Sequence, residues 1–145
     1  MRADEPLERL RLQGRLGDLL RTCPQTTEEA CTLLSTAVKL SRAEERPKLL
    51  VANLTRLATA HQYANRHEIA APLFEEALEL ADDHGLSLMK SFAHQHYGKA
   101  LVESGQLVAA RQHLLEAGSL REAAGDPDLI ASTKAALDGL AALED

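Results

Sequence analysis

Six histidines are the residues of this chain whose side chains could bind a metal ion or transfer a proton. They are His61, His67, His84, His94, His96 and His113. Two metal ligands on one face of a helix need a spacing of three or four residues. His61 and His67 are six residues apart, and His94 and His96 are two apart, which separates their side chains by about 200° around a helix. We therefore expect no metal site and no cofactor, with His61 and His94 packed in or beside the core.

The remaining reactive side chains follow no catalytic pattern. The sequence has no G-x-S-x-G, no H-E-x-x-H and no glycine-rich phosphate loop. Cys23 and Cys31 form no disulfide framework, so we interpret them as reduced thiols. The adjacent acids Glu75 and Glu76 lie on a predicted helix surface, where such pairs are usually solvated. These patterns predict a protein that is not an enzyme.

Composition favours helices and a protein in solution. Leu and Ala dominate the chain, whereas Val and Ile together number six, and Leu and Ala lose little entropy in a helix. The net charge of −6 argues against general binding to nucleic-acid phosphates. No apolar run reaches the roughly 20 residues that span a bilayer, and the first ten residues contain no apolar signal core. We therefore expect a cytoplasmic protein that binds neither nucleic acid nor membrane.

A pattern of the form A-x3-[L/F]-x2-A recurs three times at a spacing of 40 residues. Its members are Ala30, Leu34 and Ala37, then Ala70, Phe74 and Ala77, then Ala110, Leu114 and Ala117. Spacings of four and three place the members of each set on one helical face. The small–large–small order lets a neighbouring helix approach closely, so we expect all nine residues to be core.

Seven helices can be delimited around this pattern from capping and helix-breaking residues. We predict them near 5–22, 27–45, 47–63, 67–83, 86–103, 107–124 and 127–143. Thr26 and Glu29 have capping-box spacing, and Asp126 and Pro127 suit an N-cap and a first helical position. Pro72 lies inside the fourth helix, where we expect a mild kink or a late helix start.

The helix before each pattern carries a second one. Its members are Leu54, Leu57, Ala58 and His61, then His94, Tyr97, Gly98 and Leu101; in the first unit the register shifts by two, to Leu16, Leu19, Leu20 and Cys23. Together the two patterns resemble the tetratricopeptide repeat (TPR) signature W-x2-L-G-x2-Y…A-x3-F, in the longer form of the kinesin-light-chain type. The resemblance implies an all-α, right-handed α-solenoid. It would form one domain over 1–145, with three helix-turn-helix repeats (about 5–45, 47–83 and 86–124) and a C-terminal capping helix (127–143).

The resemblance also implies a binding groove. In TPR arrays the first helix of each pair lines the concave surface, which here means helices 47–63 and 86–103. Signature positions that turn away from the core then predict the partner-binding residues: Thr55, Arg56, Thr59, Gln62, Tyr63, Phe92, Gln95, His96 and Lys99. Helix 67–83, behind them, carries six acids and no Lys or Arg. We therefore expect a neutral-to-basic groove in which Arg56 and Lys99 anchor an acidic side chain or a free carboxylate.

These expectations describe a non-catalytic scaffold that binds a protein or peptide. Two alternatives stay open. The array could associate with a second copy of itself as a homodimer, which a concentration-dependent mass would reveal. It could instead be a sensory or regulatory module that binds a small molecule or signalling peptide, which a ligand-dependent melting shift would favour.

Overall fold

A computed structural model describes residues 27–144 of the chain. This part is all-α and contains no strand. Its helices are α1 (Thr27–Ala43), α2 (Pro47–Tyr63), α3 (His67–Asp83), α4 (Ser87–Glu103), α5 (Leu107–Ala124) and α6 (Pro127–Glu144). The prediction of an all-α protein is confirmed over this range, in which no helix is long and apolar enough to cross a membrane. The helix predicted at 5–22, with Cys23 and Thr26, lies outside the described residues.

The helix boundaries agree with the sequence-based predictions to within two residues. Pro47 is the first residue of α2, and Asp126 caps α6, where its Oδ1 accepts a hydrogen bond of 3.0 Å from the Asp128 amide. Pro72 does not delay α3, which begins at His67, so a late helix start is not observed. Proline removes the donor to the carbonyl four residues earlier. Here that residue is Glu68, which is exposed near the helix start.

The connections between helices repeat a single turn geometry. Left-handed residues occur every 20 positions, at Glu45, Asn65, Gly85, Gly105 and Gly125, with φ between 52° and 79°. In the first four loops the next residue donates its amide to the carbonyl five positions back, as in Leu86 to Ala81 at 2.8 Å. This is the Schellman arrangement, which satisfies the last carbonyls of a helix. Successive helices therefore reverse direction at the same interval.

The core follows the 40-residue pattern. All nine residues of the A-x3-[L/F]-x2-A sets are buried, each at most 2% exposed, which confirms their prediction as core. Each helix packs against the next one along the chain, and in addition α2 contacts α4 and α4 contacts α6. The rings of Phe74 and Tyr97 stack with centroids 4.9 Å apart, which joins α3 to α4. The even-numbered helices therefore lie next to one another. They contact each other directly, and each also packs against the odd-numbered helix that lies between them in the sequence.

Candidate functional site

The nine residues predicted to bind a partner all lie on α2 and α4, two helices in direct contact. Four of them, Thr55, Thr59, Gln62 and Gln95, are buried. The Thr55 and Thr59 hydroxyls donate to the carbonyls four residues earlier, at 2.9 and 2.8 Å, as threonine does inside a helix. The Gln62 and Gln95 side chains bond to residues of neighbouring helices, whereas these hydrogen bonds of Thr55 and Thr59 stay within α2, and partner binding at the four positions stays a prediction.

Gln62 shows how α2 and α4 are joined. Its Nε2 donates to Glu103 Oε2 at 2.6 Å and more weakly to the Ala100 carbonyl at 3.4 Å. Its Oε1 lies 2.6 Å from Nδ1 of His67, which must donate because an amide oxygen can only accept. The amide therefore uses both of its ends, and it fixes the C-terminal turns of α2 and α4 relative to the start of α3.

The accessible residues of the predicted site are Arg56, Tyr63, Phe92, His96 and Lys99. Of the two aromatic residues among them, Tyr63 is the more accessible, with 58% of the residue exposed, whereas Phe92 is only partly exposed. Arg56 donates to Asn53 Oδ1 at 3.3 Å on its own helix, and neither Arg56 nor Lys99 forms an ion pair within residues 27–144. No carboxylate of the described residues therefore neutralises either cation.

The charge of the neighbouring helix has the opposite sign. Five of the six acids of α3 are exposed, and the sixth, Glu76, is partly exposed and pairs with Arg42 of α1 at 3.1 Å. Lys90, on the first turns of α4, is paired with Asp82 at 2.8 Å. Lys90 thus helps to hold α4 against α3 and is less available to a partner than Arg56 and Lys99.

A buried arginine, Arg121, is a feature that the sequence-based reasoning missed. It is 2% exposed, and its Nη1 donates to Thr133 Oγ1 at 2.9 Å, across the contact between α5 and α6. The guanidinium carbon lies 4.9 Å from the centroid of the Phe92 ring, a cation–π geometry. Burial lowers the pKa of Arg121, and the negative charge of Asp126 opposes this. The sequence did contain a signal for this burial, because Arg121 lies four residues after Ala117 and so extends the buried face of Ala110, Leu114 and Ala117 by one helical turn.

Two histidines that are distant in the sequence also contact each other. His94 on α4 and His113 on α5 are 19 residues apart, and their Nδ1 atoms are 2.9 Å from each other. His94 is 8% exposed, as expected for a residue in a core slot. Within residues 27–144, no group of three or more His, Cys, Asp or Glu side chains is arranged to hold a metal ion. The two rings form a hydrogen-bonded contact between α4 and α5.

Cys31 is buried beside the loop between α2 and α3. Its Sγ lies 3.3 Å from Arg66 Nη2, and Arg66 also pairs with Glu28 at 2.6 Å and donates to His61 Nδ1 at 3.0 Å. Burial raises the pKa of the Cys31 thiol, although the Arg66 contact opposes that rise. A raised pKa favours the protonated thiol, the less nucleophilic form, and the cluster ties α1 to the loop before α3.

A small cavity lies next to the predicted site, between α3 and the end of α4. Its lining includes Gln62, His67, Phe74, Tyr97 and Ser104, and its volume is about 20 Å³. One water molecule needs about 10–15 Å³ on this measure. The cavity can therefore hold a single water and is too small for a metabolite.

Comparison with protein-family models, with curated proteins and with solved structures finds no match to this chain.

Proposed function

We propose that this chain is a TPR-like scaffold, without catalytic activity, whose helix pairs stack as a right-handed solenoid and bind a protein or peptide. The pattern of contacts supports the stacking, because every helix packs on its successor while α2, α4 and α6 contact each other in series. In such an array the even-numbered helices line one face. The free, buried thiol of Cys31 suits a reducing compartment such as the cytoplasm.

The observation that carries the proposal is the surface of α2 and α4. It places Arg56 and Lys99, cations without a carboxylate partner in the described part of the chain, on neighbouring helices with Tyr63 and Phe92. Charge-assisted hydrogen bonds from Arg and Lys recognise carboxylates, and the exposed ring of Tyr63, with the partly exposed ring of Phe92, supplies an apolar anchor. The partner is accordingly a segment with an acidic side chain or a free C-terminal carboxylate, and the interaction is with protein, not nucleic acid or membrane.

To test this proposal, peptides that bind the protein are selected from a library displayed with free C-termini, and their affinities for the protein and its variants are measured. We expect Arg56→Glu and Lys99→Glu each to weaken binding of a selected peptide by at least tenfold, about 1.4 kcal/mol. Added salt should weaken the complex with the unaltered protein. Glu79→Lys, on the exposed face of α3, is the matched charge change and should leave the affinity unchanged. A larger loss from Glu79→Lys, or affinity that does not depend on salt, would show that partners bind elsewhere.

A further inference from the structure

The His94–His113 contact depends on a particular protonation state. A neutral imidazole has one N–H donor and one acceptor nitrogen, so a hydrogen bond between the two Nδ1 atoms at 2.9 Å needs one ring to donate and the other to accept. The rings are tilted by 38° with centroids 5.2 Å apart. Only one proton can lie between the two nitrogens, and a second one would set two N–H groups against each other.

The preceding repeat shows what this site is like without ionisable groups. The residues 40 positions before His94 and His113 are Leu54 and Leu73. Leu54 is completely buried, and Leu73 packs against the same hydrophobic core. The packing of α2 on α3 is thus achieved with two leucines where the packing of α4 on α5 uses two imidazoles. The fold itself does not require histidine at these positions.

The charged groups around the pair act in opposite directions on the two rings. On α4, Lys90 lies close enough to His94 to disfavour its cationic form. From α3, Glu75 accepts a hydrogen bond of 3.2 Å from the Tyr97 hydroxyl, and the Tyr97 ring lies 4.4 Å from the His113 ring. Glu75 and Glu116 of α5 favour the cationic form of His113. Within the described residues, however, no carboxylate is hydrogen-bonded to either imidazole.

We propose that the His94–His113 pair makes the contact between α4 and α5 sensitive to acid, so that the α4 surface is held in place at neutral pH and released as the second imidazole is protonated. The inference does not depend on the identity of any partner. Because α4 also carries Phe92, His96 and Lys99, acid acts on the same helix that carries half of the proposed binding surface.

The direction of the pH effect follows from the surroundings of the rings. Burial, His113 and Lys90 together lower the pKa of His94 from 6.5 to about 4, and burial lowers the pKa of His113 as well. At these two histidines the unfolded chain then binds more protons than the folded chain below about pH 6.5, so their contribution to stability falls as the pH falls. For His94 this loss begins near pH 6.5 and continues until the pH is below about 4.

The test compares unfolding by denaturant at pH 7.5 and pH 5.0 in the unaltered protein and in the double variant His94→Leu/His113→Leu. The leucines copy the preceding repeat. We expect the folding equilibrium constant of the unaltered protein to fall at least about tenfold more than that of the double variant. His84→Gln, at an exposed loop histidine, controls for the loss of an imidazole outside the pair and should behave as the unaltered protein does.

Titration of the imidazole C–H signals by NMR in the unaltered protein gives a readout that needs no variant to fold. We expect the His94 signal to titrate well below pH 6, and its change to coincide with shifts in α4 and α5 amide signals. Equal loss of stability in the unaltered protein and the double variant would overturn the proposal. Titration of both rings near pH 6.5 without a change in the surrounding amides would do the same.

Discussion

At the scale of single residues, Gly98 shows how closely α4 and α5 approach each other. A β-carbon at this position would lie 2.7 Å from Leu114 Cγ and 3.3 Å from the Ala110 carbonyl oxygen. Leu114 is the large residue of its repeat pattern and is completely buried, so it has little space into which to move. Steric exclusion of a β-carbon therefore explains why residue 98 is a glycine. The equivalent residue of the second repeat, 40 positions earlier, is Ala58.

We expect Gly98→Ala to destabilise the protein by about 1–3 kcal/mol, as overpacking does in close-packed cores. Chemical denaturation monitored by circular dichroism would measure the change. Gly139→Ala is the matched control, because its β-carbon would meet open space on α6. That change should stabilise the helix by up to about 1 kcal/mol through the better helix propensity of alanine. If both substitutions stabilise the protein, the α4–α5 contact is looser than described.

At the scale of helices and loops, the five left-handed positions are occupied by three different residue types. Glycine stands at residues 85, 105 and 125, asparagine at 65 and glutamate at 45. Glycine adopts positive φ without a steric penalty and asparagine tolerates it, whereas other L-residues pay about 1–2 kcal/mol. The turn after α1 is therefore made at a cost that the equivalent turns after α3 and α5 avoid.

The prediction at this scale is that Glu45→Gly stabilises the protein, by roughly 0.5–1 kcal/mol, although the added freedom of glycine in the unfolded chain offsets part of the gain. Thermal and denaturant unfolding would both detect it. Gly85→Ala, at the equivalent position one repeat later, should cost about 1 kcal/mol. A destabilising Glu45→Gly would mean that the glutamate side chain contributes an interaction that outweighs its backbone strain.

At the scale of the whole molecule, α6 packs against α5 and α4 with few buried residues of its own. Only Thr133 and Leu140 of α6 are buried, and Asp128, Lys134 and Asp138 are exposed. Three polar contacts join α6 to α5: Arg121 donates to the Thr133 hydroxyl and to the Leu129 carbonyl, and Arg111 pairs with Glu144. The most buried apolar residue of this attachment is Leu140, which is 1% exposed, and Ala136 and Leu137 pack partly buried against the same cluster.

We expect Leu140→Ala to destabilise the protein by about 2–4 kcal/mol, because it leaves a cavity under the terminal helix. Hydrogen exchange should report the loss first in α6, since a terminal helix in a stack has neighbours on one side only. Leu143→Ala, three residues away and 61% exposed, should change the stability by less than about 0.5 kcal/mol. Equal effects from the two leucines would mean that α6 is not attached through this face.

The sequence by itself determined the helices and the core of residues 27–144. Helix propensity, capping and the spacing of apolar residues act over one or two turns, so a 40-residue register suffices to identify Ala70, Phe74 and Ala77 as one buried face. Tertiary structure decided which polar residues of α2 and α4 are accessible. Gln62 and Gln95 satisfy the same helical spacing as Arg56 and Lys99, yet the contacts α2–α4 and α4–α6 bury the first two and leave the others at the surface.

Only the tertiary structure shows the contacts of His94 with His113 and of Arg121 with Thr133. Each joins side chains on different helices, and whether they touch depends on the crossing angle and the axial offset of those helices. These quantities arise from the packing of many side chains at once, so the spacing of residues along the chain does not encode them in any single motif. A pattern of local origin therefore identified the fold class and the core, while the contacts with chemical consequences emerged only when the helices were packed together.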